Sequence, residues 1–199
     1  MKLIESLKKL KSGEEVKIAA LGDSLTYGWM TERGFLDYLK IMITKKFPDS
    51  NFKILNRGVP GDTAKDGLRR TDSDVLRSCP DLVFIQFALN DAYTGFSPAD
   101  FERNIEAIVL KIRETSDAEI ALITSVALLD TEENKIAEEF YDKIYECGER
   151  YNLPVAEVHR YWKEKISSGI RHSTLVQSDG IHPTEKGYEL MAEAVFMLF

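Results

Sequence analysis

Five short apolar, β-branched runs, separated by longer amphipathic stretches, constrain this 199-residue chain more than any single motif. They cover residues 16–21, 52–56, 82–87, 119–124 and 154–158. The intervening stretches carry helical spacing. Phe101, Ile105, Ile108 and Ile112 mark one face, Ile136, Phe140, Ile144 and Cys147 another, and Met191, Ala194, Val195 and Leu198 a third. Ser97-Pro98-Ala99-Asp100 opens the first of these with a capping serine, a proline at the first helical position and an acid in the first turn. Parallel strands need long crossover connections, so this alternation predicts an α/β protein with a parallel sheet of about five strands covered by helices on both faces. No repeat, low-complexity segment or linker interrupts it, which predicts one domain spanning 1–199, long enough to bury a single sizeable core.

Charge and hydropathy exclude several partners. The formal net charge of −7 disfavours phosphate-backbone binding, and the basic clusters Lys8-Lys9-Leu10-Lys11 and Arg69-Arg70 are short and diluted by acids; no nucleic acid partner is expected. No run approaches the eighteen or more apolar residues of a membrane span. The N-terminus lacks the apolar core and small-residue cleavage site of a signal peptide, giving a cytoplasmic expectation. Leu3, Leu7 and Leu10 instead predict an amphipathic helix packed on the domain. Two cysteines, Cys79 and Cys147, imply no disulfide framework; both lie in apolar helical contexts and are expected to be buried free thiols. The helical faces do not specify an oligomeric state.

In sheets of this kind, ligands bind beyond the carboxyl ends of the strands. Three polar groups stand there: Ser24 within Gly22-Asp-Ser-Leu-Thr-Tyr-Gly28, the segment Asn56-Arg-Gly-Val-Pro-Gly61-Asp-Thr63, and Ala88-Leu89-Asn90-Asp91. A fourth, Ser178-Asp179-Gly180-Ile181-His182-Pro183, precedes the last helical pattern. A serine hydroxyl is a poor nucleophile until a base takes its proton. His182 is the candidate base, and Asp179, three residues earlier in a tight turn, is a candidate to fix its tautomer. The backbone N–H groups of Ser24 and Gly61 and the side-chain amide of Asn90 are candidate donors to an oxyanion.

These four segments, in this order, resemble the blocks of the SGNH, or GDSL, hydrolases. The resemblance covers almost the whole chain from residue 16 onward. It implies a three-layer α/β/α, flavodoxin-like fold and serine ester hydrolysis without a metal or cofactor. In that family Ser24 would be nucleophile, His182 base and Asp179 its orienter, with Ser24, Gly61 and Asn90 as oxyanion hole. One departure stands out: the third block usually begins with glycine, where this chain has Ala88.

Each motif also has a plainer reading. Ser24 suits a helix cap, Asn90-Asp91 a turn, and Pro60-Gly61 a type II turn, which is compatible with aiming an N–H at a ligand. Asp23 is expected to brace the loop beside the nucleophile. His172 follows Arg171 and lacks a nearby acid in sequence, and His159 stands at the end of the fifth apolar run; both are candidates to line the pocket, and neither is favoured as the base. Ser6 and Lys9 match a Ser-x-x-Lys pattern but sit on a charged helix without its companion motifs. Leu25, Tyr27, Trp29, Phe87, Tyr93 and Phe96 flank the motifs, about half as core and half as pocket lining. The expected activity is hydrolysis of short-acyl carboxylic esters at an open site, the substrate being a small-molecule ester such as an acetylated sugar, a lysophospholipid or a thioester. The alternatives are a non-catalytic carbohydrate- or lipid-binding module and a flavin-binding or receiver protein of the same topology.

Overall fold

The computed structural model describes residues 2–199. Its elements run α1 (Glu5–Ser12), β1 (Glu15–Gly22), α2 (Ser24–Tyr27), α3 (Phe35–Lys46), β2 (Asn51–Gly58), α4 (Ala64–Asp74), β3 (Leu82–Gln86), α5 (Leu89–Tyr93), α6 (Pro98–Thr115), β4 (Glu119–Ile123), α7 (Thr131–Arg150), β5 (Val155–Ala156), α8 (Val158–Ser167) and α9 (Glu185–Phe196). The five strands form one parallel sheet in the order β2-β1-β3-β4-β5. Parallel crossovers are right-handed, so stepping from β1 out to β2 puts α3 on one face. The return from β2 across β1 to β3, and the onward steps to β4 and β5, put α4, α6 and α7 on the other. α9 packs against α3 and α8, completing three layers.

The central strands are apolar because both faces are covered: every residue of β3 is buried, as are the last five of β1 and the last four of β4. β2, at one edge, is only partly buried along its length. One contiguous core runs through the molecule, including Phe84, Phe101, Ile108, Tyr141 and Met191. Ser97 caps α6, its Oγ accepting from the Asp100 N–H at 3.1 Å, with Pro98 in the first turn. α1 packs Leu3 and Leu10 into the core, and the Glu119 carboxylate at the start of β4 accepts the N–H groups of Ile4, Glu5 and Ser6 at 2.7–3.0 Å. That carboxylate stands in for a local cap that α1 does not have.

Two expectations need correction. The fifth strand shrinks from 154–158 to two residues, because Val158 already begins α8 and β5 is a sheet edge. Cys147 is buried, but Cys79 is exposed. It ends a single 3-10 turn (Leu76–Ser78) with φ +48°, immediately before Pro80, and so leaves the apolar face that the pattern assigned to it. Among the described residues, no helix is long and apolar enough to cross a membrane.

Candidate active site

The site lies at the carboxyl end of the sheet, beside the point where strand order reverses between β1 and β3. β1 stops at Gly22, where a Cβ would overlap Thr26 Oγ1 and the Gln86 carbonyl. Asp23, not Ser24, then caps the one-turn helix α2: its Oδ1 accepts from the Leu25 N–H at 2.8 Å. The capping reading of this stretch therefore belongs to the neighbour. Ser24, the first residue of α2, has a backbone N–H with no intrahelical acceptor and a hydroxyl free to face elsewhere. It faces His182: Oγ and Nε2 lie 3.0 Å apart.

His182 arrives on a loop folded back on itself. Val176 bridges Pro183, the Gln177 N–H donates to the His182 carbonyl, and Thr184 caps α9 directly afterwards. Asp179 Oδ1 accepts the N–H groups of Ile181 and His182 at 2.9 and 3.0 Å, while Oδ2 meets His182 Nδ1 at 2.7 Å. Partial burial would raise the Asp179 pKa, but those N–H groups and the imidazole outweigh it and hold the carboxyl below its ordinary value. With the carboxylate on Nδ1, the proton resides there and Nε2 presents its lone pair to Ser24. Gln177 Nε2 also ties this loop to the α2 side, donating to the carbonyls of Trp29 and Pro183 at 3.0 and 2.9 Å.

Gly61 occupies a type II turn closed by Asp62 N–H to Val59 C=O at 3.1 Å, with φ +87°. A Cβ there would meet no protein atom, so backbone conformation, rather than crowding, requires the glycine. Thr63 then forms a capping box with Asp66 and starts α4. Asn90, in α5, donates from Nδ2 to the Asp62 carbonyl at 2.9 Å, leaving its second amide hydrogen available. Its neighbour Asp91 is buried, and both its oxygens accept the Ala64 N–H at the start of α4. Ala88, where the family pattern has glycine, holds φ +146°, a conformation natural only to glycine.

A buried polar network that the motifs did not reveal lies under Ser24. Gln86 donates from Nε2 to Asp23 Oδ2 and Ser125 Oγ, and its Oε1 accepts from Thr26 Oγ1. The sequence held one clue, a single amide at the end of the apolar run Leu82-Val-Phe-Ile-Gln86. Burial pushes the Asp23 carboxyl up to about 7, against the opposing hydrogen bonds from Leu25 and Gln86. Of the other histidines, His159 is buried against Tyr141 and Asn134, with its pKa driven down to about 4 by burial, and His172 meets the Ala127 carbonyl. Leu25 and Phe87 are core residues, whereas Tyr27, Trp29 and Tyr93 are exposed around the site, with the Trp29 ring 6.2 Å from that of His182.

The GDSL-like lipase/acylhydrolase family model matches residues 20–190. The chain belongs to that family. The relatives of this chain include an arylesterase of Vibrio mimicus, 24% identical over 90% of this chain and 86% of the relative. Among solved structures, a lipase/acylhydrolase from Enterococcus faecalis matches with a TM-score of 0.75 at 29% identity, covering 92% of this chain and 94% of that one. An acetylxylan esterase from Geobacillus stearothermophilus shares the fold, with a TM-score of 0.82 at 19% identity over 96% and 95% of the two chains. The GDSL fold expected from the motifs is thus the fold observed, an α/β architecture with a five-stranded parallel sheet flanked by helices.

Proposed function

We propose that this GDSL acylhydrolase cleaves short-acyl carboxylic esters through an acyl-enzyme on Ser24. The observation that carries the reading is the unbroken chain Ser24 Oγ to His182 Nε2 at 3.0 Å and His182 Nδ1 to Asp179 Oδ2 at 2.7 Å. Ser24 Oγ attacks the ester carbonyl as His182 Nε2 takes its proton, and Asp179 stabilises the resulting imidazolium. The N–H groups of Ser24 and Gly61 and the free amide hydrogen of Asn90 receive the developing oxyanion. His182 returns the proton to the leaving alcohol, then activates a water that releases the acid. Exposed Tyr27, Trp29, Tyr93 and Leu129 support an open site with short walls rather than a tunnel for long chains.

The test is steady-state hydrolysis of 4-nitrophenyl esters from acetate to decanoate by wild type and Ser24→Ala. Wild type is expected to prefer the shortest esters, and Ser24→Ala to lose about 10⁴-fold or more in kcat while remaining folded. Turnover that survives Ser24→Ala overturns the assignment. A preference for decanoate overturns the short-acyl part alone.

A further inference from the structure

Arg69 and Arg70 stand side by side on α4 and have opposite fates. Arg69 points to solvent beside Asp66, whereas the Arg70 side chain is turned inward and only 15% exposed. Its guanidinium makes four hydrogen bonds. Nη2 donates to the Gly22 carbonyl at 2.8 Å, Nη1 to the Arg57 carbonyl at 2.7 Å and to Asp74 Oδ2 at 3.0 Å, and Nε to Asp62 Oδ2 at 2.7 Å. These acceptors are not scattered. Gly22 ends β1, two residues before Ser24; Arg57 lies at the end of β2, leading into the Gly61 turn; and Asp62 follows Gly61 directly. The Asp62 carbonyl in turn accepts from Asn90 Nδ2. One planar cation therefore ties the end of β1, which leads to Ser24, to the segment around Gly61, and reaches the Asn90 donor through Asp62, whose carbonyl Asn90 holds.

We propose that Arg70 is the positioning residue of the oxyanion hole, fixing those three donors relative to one another. The proposal rests on the Ser24 reading above. The physical need is specific. Donors to an oxyanion act by being aimed before the charge forms, and a misplacement of about 1 Å can cost about 100-fold in rate. The Gly61 turn is an exposed loop at positive φ, and the side chain that anchors it is Asp62, through Arg70. A guanidinium presents donors in fixed directions within a rigid plane and so sets angles as well as distances, which a lysine ammonium on a flexible stem does not. Asp62 and Asp74 balance its charge, so the buried cation is not left unpaired.

The experiment compares wild type, Arg70→Met, Arg70→Lys and the neighbouring control Arg69→Met on 4-nitrophenyl acetate. Competent sites are counted by titration with a fluorophosphonate, and inhibition by phenylboronic acid, which forms a tetrahedral adduct on serine, is measured alongside. Arg70→Met is expected to lose about 10- to 100-fold in kcat per titrated site, with KM within about threefold and boronate affinity weakened in parallel. Arg70→Lys falls between it and wild type, since an ammonium can meet Asp62 but cannot span the carbonyls, and Arg69→Met matches wild type. An unchanged kcat per titrated site, with activity lost only through fewer competent molecules, overturns the proposal and leaves Arg70 a structural brace. If Arg70→Met does not fold, Asp62→Asn keeps the carbonyl that Asn90 uses while weakening the arginine contact. It is expected to lower kcat per site about 3- to 10-fold, and no change there also overturns the proposal. A wild type that neither turns over nor titrates overturns the Ser24 reading itself, an outcome distinct from active, titratable Arg70 variants.

Discussion

Ala88 offers the sharpest test of the backbone geometry, because glycine there removes a strain that the rest of the structure enforces. The residue is fully buried, immediately precedes α5 and holds φ +146°. A non-glycine residue in so sparsely populated a region costs about 1–3 kcal/mol. Against this, Ala88→Gly gives up one buried methyl, about 0.8 kcal/mol, and loosens the unfolded chain by about 0.4–1 kcal/mol. The opposing effects leave Ala88→Gly between destabilised by about 0.8 kcal/mol and stabilised by about 1.8 kcal/mol. The same substitution at Ala121, fully buried in β4 and in ordinary strand conformation, loses the methyl and the chain stiffness with nothing in return, about 1–2 kcal/mol. The difference between the two sites is therefore the strain itself. Urea unfolding followed by tryptophan fluorescence gives both values on one scale. If Ala88→Gly is destabilised as much as Ala121→Gly, Ala88 is not strained in solution and the argument fails.

Three further outcomes follow from the structure. The Asp23 carboxyl, raised by burial to about 7, well above the usual carboxylate range, binds a proton in the folded state at pH values where the unfolded chain does not. Stability therefore falls as pH rises from 5 to 8, by about 2 kcal/mol from this group, and Asp23→Asn should flatten that slope in thermal unfolding; a slope unchanged by the substitution refutes the assignment. Asp179→Asn retains an acceptor for the Ile181 and His182 N–H groups but stabilises the wrong imidazole tautomer. It should fold like wild type and lose about 10³- to 10⁴-fold in kcat, measured with 4-nitrophenyl acetate. Glu119→Ala strips α1 of its remote cap, leaving three N–H groups without their carboxylate, and should lower stability by about 1–2 kcal/mol in urea unfolding with kcat unchanged.

What was legible in the chain was whatever short-range spacing encodes. Alternating apolar runs specified the parallel sheet, Ser97-Pro98 gave the start of α6, and Pro60-Gly61 gave its turn, because each depends on neighbours within a few residues. The Asp179-to-His182 contact was legible for the same reason, being local. The polar groups beneath the site were not. Arg70 meets the Arg57 and Gly22 carbonyls across 13 and 48 residues, and Gln86 meets Ser125 and Asp23 across 39 and 63, and only the folded sheet brings those partners together. Cys79 misled because its apolar neighbours Val75 and Leu76 suggested a continuing helical face, whereas a 3-10 turn before Pro80 rotates the thiol outward.

Asp179 and His182 lie three residues apart, whereas Ser24 and His182 are separated by 158. The hydroxyl is thus synthesised with the first strand, and its imidazole partner follows only after the fifth. A nascent chain still lacking the segment before α9 carries a complete β1–β5 sheet and no base for Ser24. Hydrolytic activity during translation consequently waits for the segment that carries His182, and should lag behind the appearance of helix and sheet rather than grow with them.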